Sequence, residues 1–185
     1  MPSHEYSHSE RALLVKLAHE AIESALEDRV ISLHPPNAHL AEPRGVFTTI
    51  HLEGQLRGCV GYVLPVLSVY RAVAETARAA ASQDTRFLPV TLEEARQLEV
   101  SLSILSPLSA IEPEQIEIGR HGLVVTLGNH RGLLLPQVPI EHHWDRITFL
   151  EQTCRKAGLA SEAWKSGATL ESFTAEIFGD SEKSV

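Results

Sequence analysis

Two stretches of the chain read as extended segments joined by only two or three residues, and this constrains the fold more than any other feature. In residues 45–63, GVFTTIHLEGQLRGCVGYV, a β-rich run meets Glu53-Gly54 and returns as QLRGCVGYV. In residues 122–136, GLVVTLGNHRGLLLP, the chain turns at Gly128 to His130. So short a connection cannot carry the chain back to begin a parallel strand, so each stretch closes as an antiparallel hairpin. Helical patterns are interleaved irregularly between the hairpins. The expected class is therefore α+β, a mainly antiparallel sheet with packed helices, and not a doubly wound parallel sheet. The hairpins also echo one another: each has Gly, three residues, Thr, an aliphatic residue and then Arg-Gly beyond the turn. That echo suggests two hairpins paired in one sheet, although hairpins resemble one another for simpler reasons.

The helices are legible from their ends. Ser7 and Glu10 have the spacing of a capping box, and Leu14, Leu17, Ala18, Ala21 and Ala25 form one apolar face through about Leu26. A long Pro-containing connection, SLHPPNAHLAEPRG, leads into the first hairpin. In SVYRAVAETARAAASQ, residues 68–83, Val69, Ala72, Val73, Thr76, Ala77 and Ala80 share a face. Arg71, Glu75 and Arg78 lie opposite and are expected to form solvated ion pairs. DTRFLPVTLEEARQ reads as a loop with one helical turn, and LEVSLSILS as a strand. A helix from about Asp145 to Ala157 has an Asp N-cap, Arg155 and Lys156 in its last turn, and Gly158 as its stop. SFTAEIF is a final β-rich stretch before a polar, frayed tail.

Length and charge then bound the function. At 185 residues the chain fits one domain, or one domain with a small second lobe. Its net charge of -8 opposes phosphate-backbone binding, so no nucleic-acid partner is expected. Two cysteines make no disulfide framework. MPSHEYSHSERALL lacks the basic and apolar regions of a secretory signal, and no apolar run is long enough to span a bilayer. The expectation is a cytoplasmic protein with two free thiols and no membrane partner.

Chemistry gathers at Arg57-Gly58-Cys59-Val60-Gly61. Glycine weakens a strand, so two of them suggest a bulge, a bend, or close approach of another backbone or a ligand. In an unbroken strand Arg57 and Cys59 share a face, and a guanidinium beside a thiol favours thiolate. The competing reading is that Cys59 is a small buried apolar residue. Cys154 shares a helical face with Ile147, Leu150 and Ala157, so it reads as core. His142 and His143, just before the last helix, are candidate general bases for Cys59, with Glu141 or Asp145 to orient them. Ordinary surface histidines are the commoner outcome. Asp84 and Arg86 are expected to pair and brace their loop; alternatively Arg86 adds positive charge beside Arg57. There is no HExxH, CxxC, paired-carboxylate, GxGxxG or Walker pattern, so neither a metal nor a nucleotide cofactor is expected.

LRGCVGY closely resembles the LRGCIG signature of the AMMECR domain family, known in bacteria and archaea as protein A of the AmmeMemoRadiSam system. The likeness continues, in the family's order, through GVFTTIHLEGQLRGCVGYVLP, DTRFLPVTLEE, LEVSLSILSPL, GLVVTLGNHRGLLLPQVPIEHHWDRITFLEQTCRKAGL and AWKSG. It covers roughly residues 8 to 178. Val60 stands in place of the signature's isoleucine, and Thr85 where proline is common, which leaves the stiffness of that loop open. The resemblance implies a single AMMECR-like domain over residues 1–185 with a larger and a smaller lobe. It also implies a groove lined by Leu56, Arg57, Gly58, Cys59, Val60, Gly61, Asp84, Arg86, Gln137 and His142. The partners it implies are a Memo-like protein, which resembles class III extradiol dioxygenases, and a radical-SAM protein.

Two classes of function follow. One is a binding or accessory component that uses the groove lined by the LRGCVG segment to recognise a partner protein or its product, with Cys59 only packing; a small anionic ligand near Arg57 is a separate expectation. The other is a cysteine-dependent enzyme with Cys59 as nucleophile or redox group and Arg57 as anion binder. The sequence leans to the first, because no convincing base accompanies the cysteine.

Overall fold

Ser7 accepts the amide of Glu10 while the Glu10 carboxylate takes the Ser7 amide, and helix α1, His8–Leu26, starts at this capping box. In the computed structural model, which describes residues 5–181, the chain forms two compact units. One runs to Leu105 and resumes at Glu176; the other is Ser106–Ala175.

The first unit holds α1, strands β1 (Val46–Leu52) and β2 (Gln55–Tyr62), helix α2 (Val69–Ser82), the short helix α3 (Leu92–Ala95) and strand β3 (Glu99–Leu105). The second unit contains β4 (Ser109–Ala110), β5 (Gly122–Leu127), β6 (His130–Leu134), the short α4 (Val138–Glu141), α5 (Arg146–Lys156) and β7 (Thr169–Phe173). Strand β8, Ala175–Gly179, returns to the first. The class is α+β, with two antiparallel four-stranded sheets ordered β2-β1-β3-β8 and β4-β7-β5-β6. The two hairpins thus lie in separate sheets and do not pair in one. SFTAEIF is cut at Thr174, with Phe173 ending a strand of one sheet and Ala175 starting a strand of the other. The polar tail continues past Ser181, outside the described residues.

Alternation decides which face of the first sheet is buried. Val46, Thr48 and Ile50 on β1 and Val100, Leu102 and Ile104 on β3 all point to the helices, and α2 answers with Val69, Ala72, Val73, Thr76, Ala77 and Ala80. The buried polar contact across this interface is self-contained. Thr76 donates to the Ala72 carbonyl at 2.8 Å and receives the Thr48 hydroxyl at 2.8 Å. The solvent face of α2 departs from expectation. Arg78 donates to the Ala21 carbonyl on α1 and Glu75 accepts from the Tyr62 hydroxyl, so the three residues do not form ion pairs with each other. Glu75 and Arg78 each take a tertiary partner in place of a neighbour one turn away.

Around the start of α1 a charged knot ties the chain to the connection before β1. His39 stacks on Tyr6 with ring centroids 4.7 Å apart and sits 2.9 Å from Glu10. Glu10 raises the His39 pKa against the opposing effect of burial, while burial of Glu10 is outweighed by the Ser7 amide and His39, which draw its carboxyl down to about 2. A raised histidine stabilises fully below its unfolded value of 6.5 and loses that contribution as pH rises through the folded value. A lowered carboxyl stabilises above its unfolded 4.5 and loses it as pH falls toward 2. The pair therefore contributes most between pH 4.5 and 6.5. Thermal unfolding of wild type and His39→Gln across pH should show the largest gap in that window, closing on both sides; a constant gap would rule out this linkage.

Candidate functional site

Strand β2 is an edge strand, and it is bulged at the residue that singles it out. Leu56 pairs with His51 and Gly58 with Ile50, which leaves Arg57 without a counterpart on β1. The bulge separates Arg57 from Cys59 in direction. Arg57 reaches sideways to the segment before and within α3: Nε and Nη2 donate to the two Glu94 oxygens at 3.1 Å each, Nη1 to the Leu88 carbonyl at 2.7 Å and Nη2 to the Pro89 carbonyl at 3.4 Å. Glu94 is itself held by the Thr91 capping box of α3, and the Arg57 bond, followed by the Thr91 amide, lowers its pKa. The arginine expected to bind an anion is thus already engaged by an internal carboxylate. That partner was findable: TLEE, residues 91–94, is itself a capping-box pattern that fixes a glutamate close behind QDTRF.

Cys59 faces away from the helices. Its Sγ receives the Thr49 hydroxyl at 3.2 Å, and its backbone amide donates outward from the sheet edge to Asp84 Oδ2 at 2.9 Å. Asp84 is in turn gripped by Arg86, whose Nη2 and Nε donate at 2.7 and 3.0 Å and whose amide adds a third bond. The expected pairing of these two residues is present, and it does more than brace a loop. It places a carboxylate on an open strand edge, where it satisfies an amide that would otherwise invite another strand. Arg86, then the Cys59 amide, hold the Asp84 carboxyl well below the ordinary range.

The glycines have a packing explanation. A Cβ on Gly58 would lie 2.1 Å from the Ala80 carbonyl oxygen, so only glycine lets α2 rest directly on β2. Gly61 is covered by the Phe47 ring, which a Cβ would meet at 2.5 Å. Neither has a positive φ, so no left-handed geometry is involved. The hairpin echo now acquires a physical meaning. Gly132 in β6 makes the same kind of approach to the end of α5, with a virtual Cβ 2.3 Å from the Ala157 amide. In both units the glycine after Arg in the returning strand is the seat of a helix.

What remains open beside Cys59 is a cross-strand row. Cys59, Thr49 and Ser101 are in register across β2, β1 and β3, and Gly61, Phe47 and Ser103 form the adjacent row. All six are half-buried. Leu56 is 40% exposed on the same strand, while Val60 packs toward the core. Gln137 and His142 flank α4 in the second unit; His142 stacks on Trp144 with centroids 4.7 Å apart. Asp145 is the N-cap of α5, and its Oδ1 accepts the Thr148 amide at 2.7 Å. Among the described residues no group of His, Cys, Asp and Glu is arranged to hold a metal, and no helix is long and apolar enough to cross a membrane.

The AMMECR1 family profile matches residues 15–178. The chain belongs to the AMMECR1 family. A Methanopyrus kandleri protein is 40% identical to it over 94% of this chain and 89% of its own length, and a Thermococcus gammatolerans protein 44% identical over 89% and 87%. The crystal structure of an uncharacterised protein from Pyrococcus horikoshii is similar with a TM-score of 0.73 and 39% identity, covering 92% of this chain and 91% of that one. In this AMMECR1 chain the two thiols differ in setting. Cys154 is fully buried with Val125 and Ala163, and burial pushes its thiol up, whereas Cys59 is partly open. Labelling of native protein with a maleimide should therefore modify Cys59 first and Cys154 only on unfolding. Equal, slow modification of both would make Cys59 a core residue.

Proposed function

We propose that this AMMECR1-family protein is a binding or accessory component that presents the LRGCVG strand as a rigid recognition surface. Its partners in this reading are the Memo-like and radical-SAM proteins that the sequence resemblance implies. One observation carries it: the groups an enzyme would use are already satisfied inside the first unit. The Cys59 amide is bonded to Asp84, the Arg57 fork to Glu94 and two carbonyls, and the glycines are filled by the Ala80 carbonyl and the Phe47 ring. A nucleophilic site needs donors left free for developing charge and a base within reach of the thiol. A recognition surface needs the opposite, a strand whose ordering is complete before the partner arrives.

Titration of purified Memo-like and radical-SAM proteins from the same genome against wild type, Cys59→Ser and Asp84→Ala tests the reading. Cys59→Ser should bind within about twofold of wild type, since a hydroxyl keeps the Thr49 contact. Asp84→Ala, which frees the strand edge, should weaken binding about tenfold through loss of a preformed surface. Absence of binding to either protein overturns the proposal. A catalytic turnover that disappears in Cys59→Ser would establish the enzyme in its place.

A further inference from the structure

At the end of β2, away from the Cys59 row, the chain runs into YVLPVLS, residues 62–68, and borders an open pocket of about 550 Å³ lined by Tyr62, Val63, Leu64, Val66, Leu67 and Glu75. Its walls are almost wholly hydrocarbon, with a single carboxylate, Glu75, projecting from α2. We propose that this pocket is a binding site for an organic amine carried on an apolar body.

Three observations converge on that class of ligand. The loop is preformed: Pro65 fixes its own φ, the Val66 amide bonds the Leu64 carbonyl at 2.9 Å, and the Arg44 amide holds the Leu67 carbonyl at 3.2 Å. Its lips stand in water, Leu64 at 52% and Val66 at 73% exposure, and such paired aliphatic side chains beside a pocket mark a surface that is covered in use. Finally, Glu75 makes no ion pair among the described residues, and its one hydrogen-bond partner there is the Tyr62 hydroxyl at a long 3.3 Å. Burial, then the Glu75 charge, raises Tyr62, so the hydroxyl keeps its proton and acts as donor. One phenol leaves most of the carboxylate's acceptor capacity unused. A half-buried carboxylate facing hydrocarbon repels carboxylate and phosphate ligands and gains nothing from a neutral hydrocarbon. An ammonium supplies the missing donors through charge-assisted hydrogen bonds, while its apolar body covers Val63, Leu64, Val66 and Leu67. The site lies wholly in the first unit and uses none of the LRGCVG residues, so it stands or falls separately from the proposed function.

Amide chemical-shift titrations of the full chain with phenethylamine, and with its neutral analogue 2-phenylethanol, decide the matter. Phenethylamine should shift residues 62–67 and Glu75 and bind about tenfold more tightly than the alcohol. In Glu75→Gln, which keeps helix propensity and shape, the two ligands should differ by no more than about twofold. Val66→Ser should weaken both together. Equal affinity for amine and alcohol in wild type, an amine preference that survives Glu75→Gln, or no shifts at these residues at millimolar ligand would overturn the proposal. Tighter binding of the capped peptide acetyl-Leu-Lys-Leu-amide than of phenethylamine would overturn the free amine as occupant and give the pocket to a partner's lysine.

Discussion

Gly58→Ala is expected to lower the thermal unfolding midpoint by about 10 °C, corresponding to about 3 kcal/mol of overpacking in a protein of this size. The cause is a backbone contact and not a mobile side chain. The added methyl would lie 2.1 Å from the Ala80 carbonyl oxygen and 3.0 Å from its carbon, so α2 must lift from β2 or the bulged strand must retreat. Either movement opens the packing of Ile50, Val73 and Ala77, all fully buried. Gly54→Asn is the matched control. Gly54 has φ 76°, which asparagine tolerates, and open space where its side chain would go, so its midpoint should stay close to wild type. Calorimetry of both variants is sufficient. A Gly58→Ala protein as stable as the control would mean that the glycine serves a ligand and not the fold.

Arg57→Ala should cost about 2 kcal/mol, because it breaks charge-assisted bonds to Glu94 and strands two carbonyls together. The more telling variant is Arg57→Lys. An ammonium cannot reach both Glu94 oxygens and the Leu88 and Pro89 carbonyls from one planar fork, so lysine should recover less than half of the loss. Urea midpoints provide the energies, and limited proteolysis should show residues 84–91 cut faster in both variants. A double-mutant cycle with Glu94→Ala isolates the pair. Full rescue by lysine would mean that the brace uses the positive charge alone and not the planar fork.

Much of the fold was readable because its signals are local. Ser7 with Glu10, Thr91 with Glu94, and Asp145 before Arg146 mark helix starts by bonds that span three residues. Glu53 and Gly54, both at positive φ, close the first hairpin with no help from elsewhere in the chain. The candidate site was legible only as composition. Glycine, arginine and cysteine on one strand announced something unusual. Whether they served a ligand or the packing depended on Ala80, Phe47 and Glu94, which stand 14 to 37 residues away from their partners in sequence. The solvent face of α2 failed for the same reason. Periodicity identified Arg78 as outward-facing but could not know that the Ala21 carbonyl would lie within its reach.

The sequence by itself determined the antiparallel hairpins, the capped helices, the α+β class and the family, because each rests on residue types close together in the chain or on an ordered series of motifs. Tertiary structure alone decided that the hairpins join different sheets, and that SFTAEIF divides at Thr174 between them. Strand partners are chosen by which distant edge offers matching alternation and buried area, and a hairpin carries no local record of that choice. The same holds for the bulge at Arg57: its extra residue exists only relative to β1, so one strand read alone cannot display it.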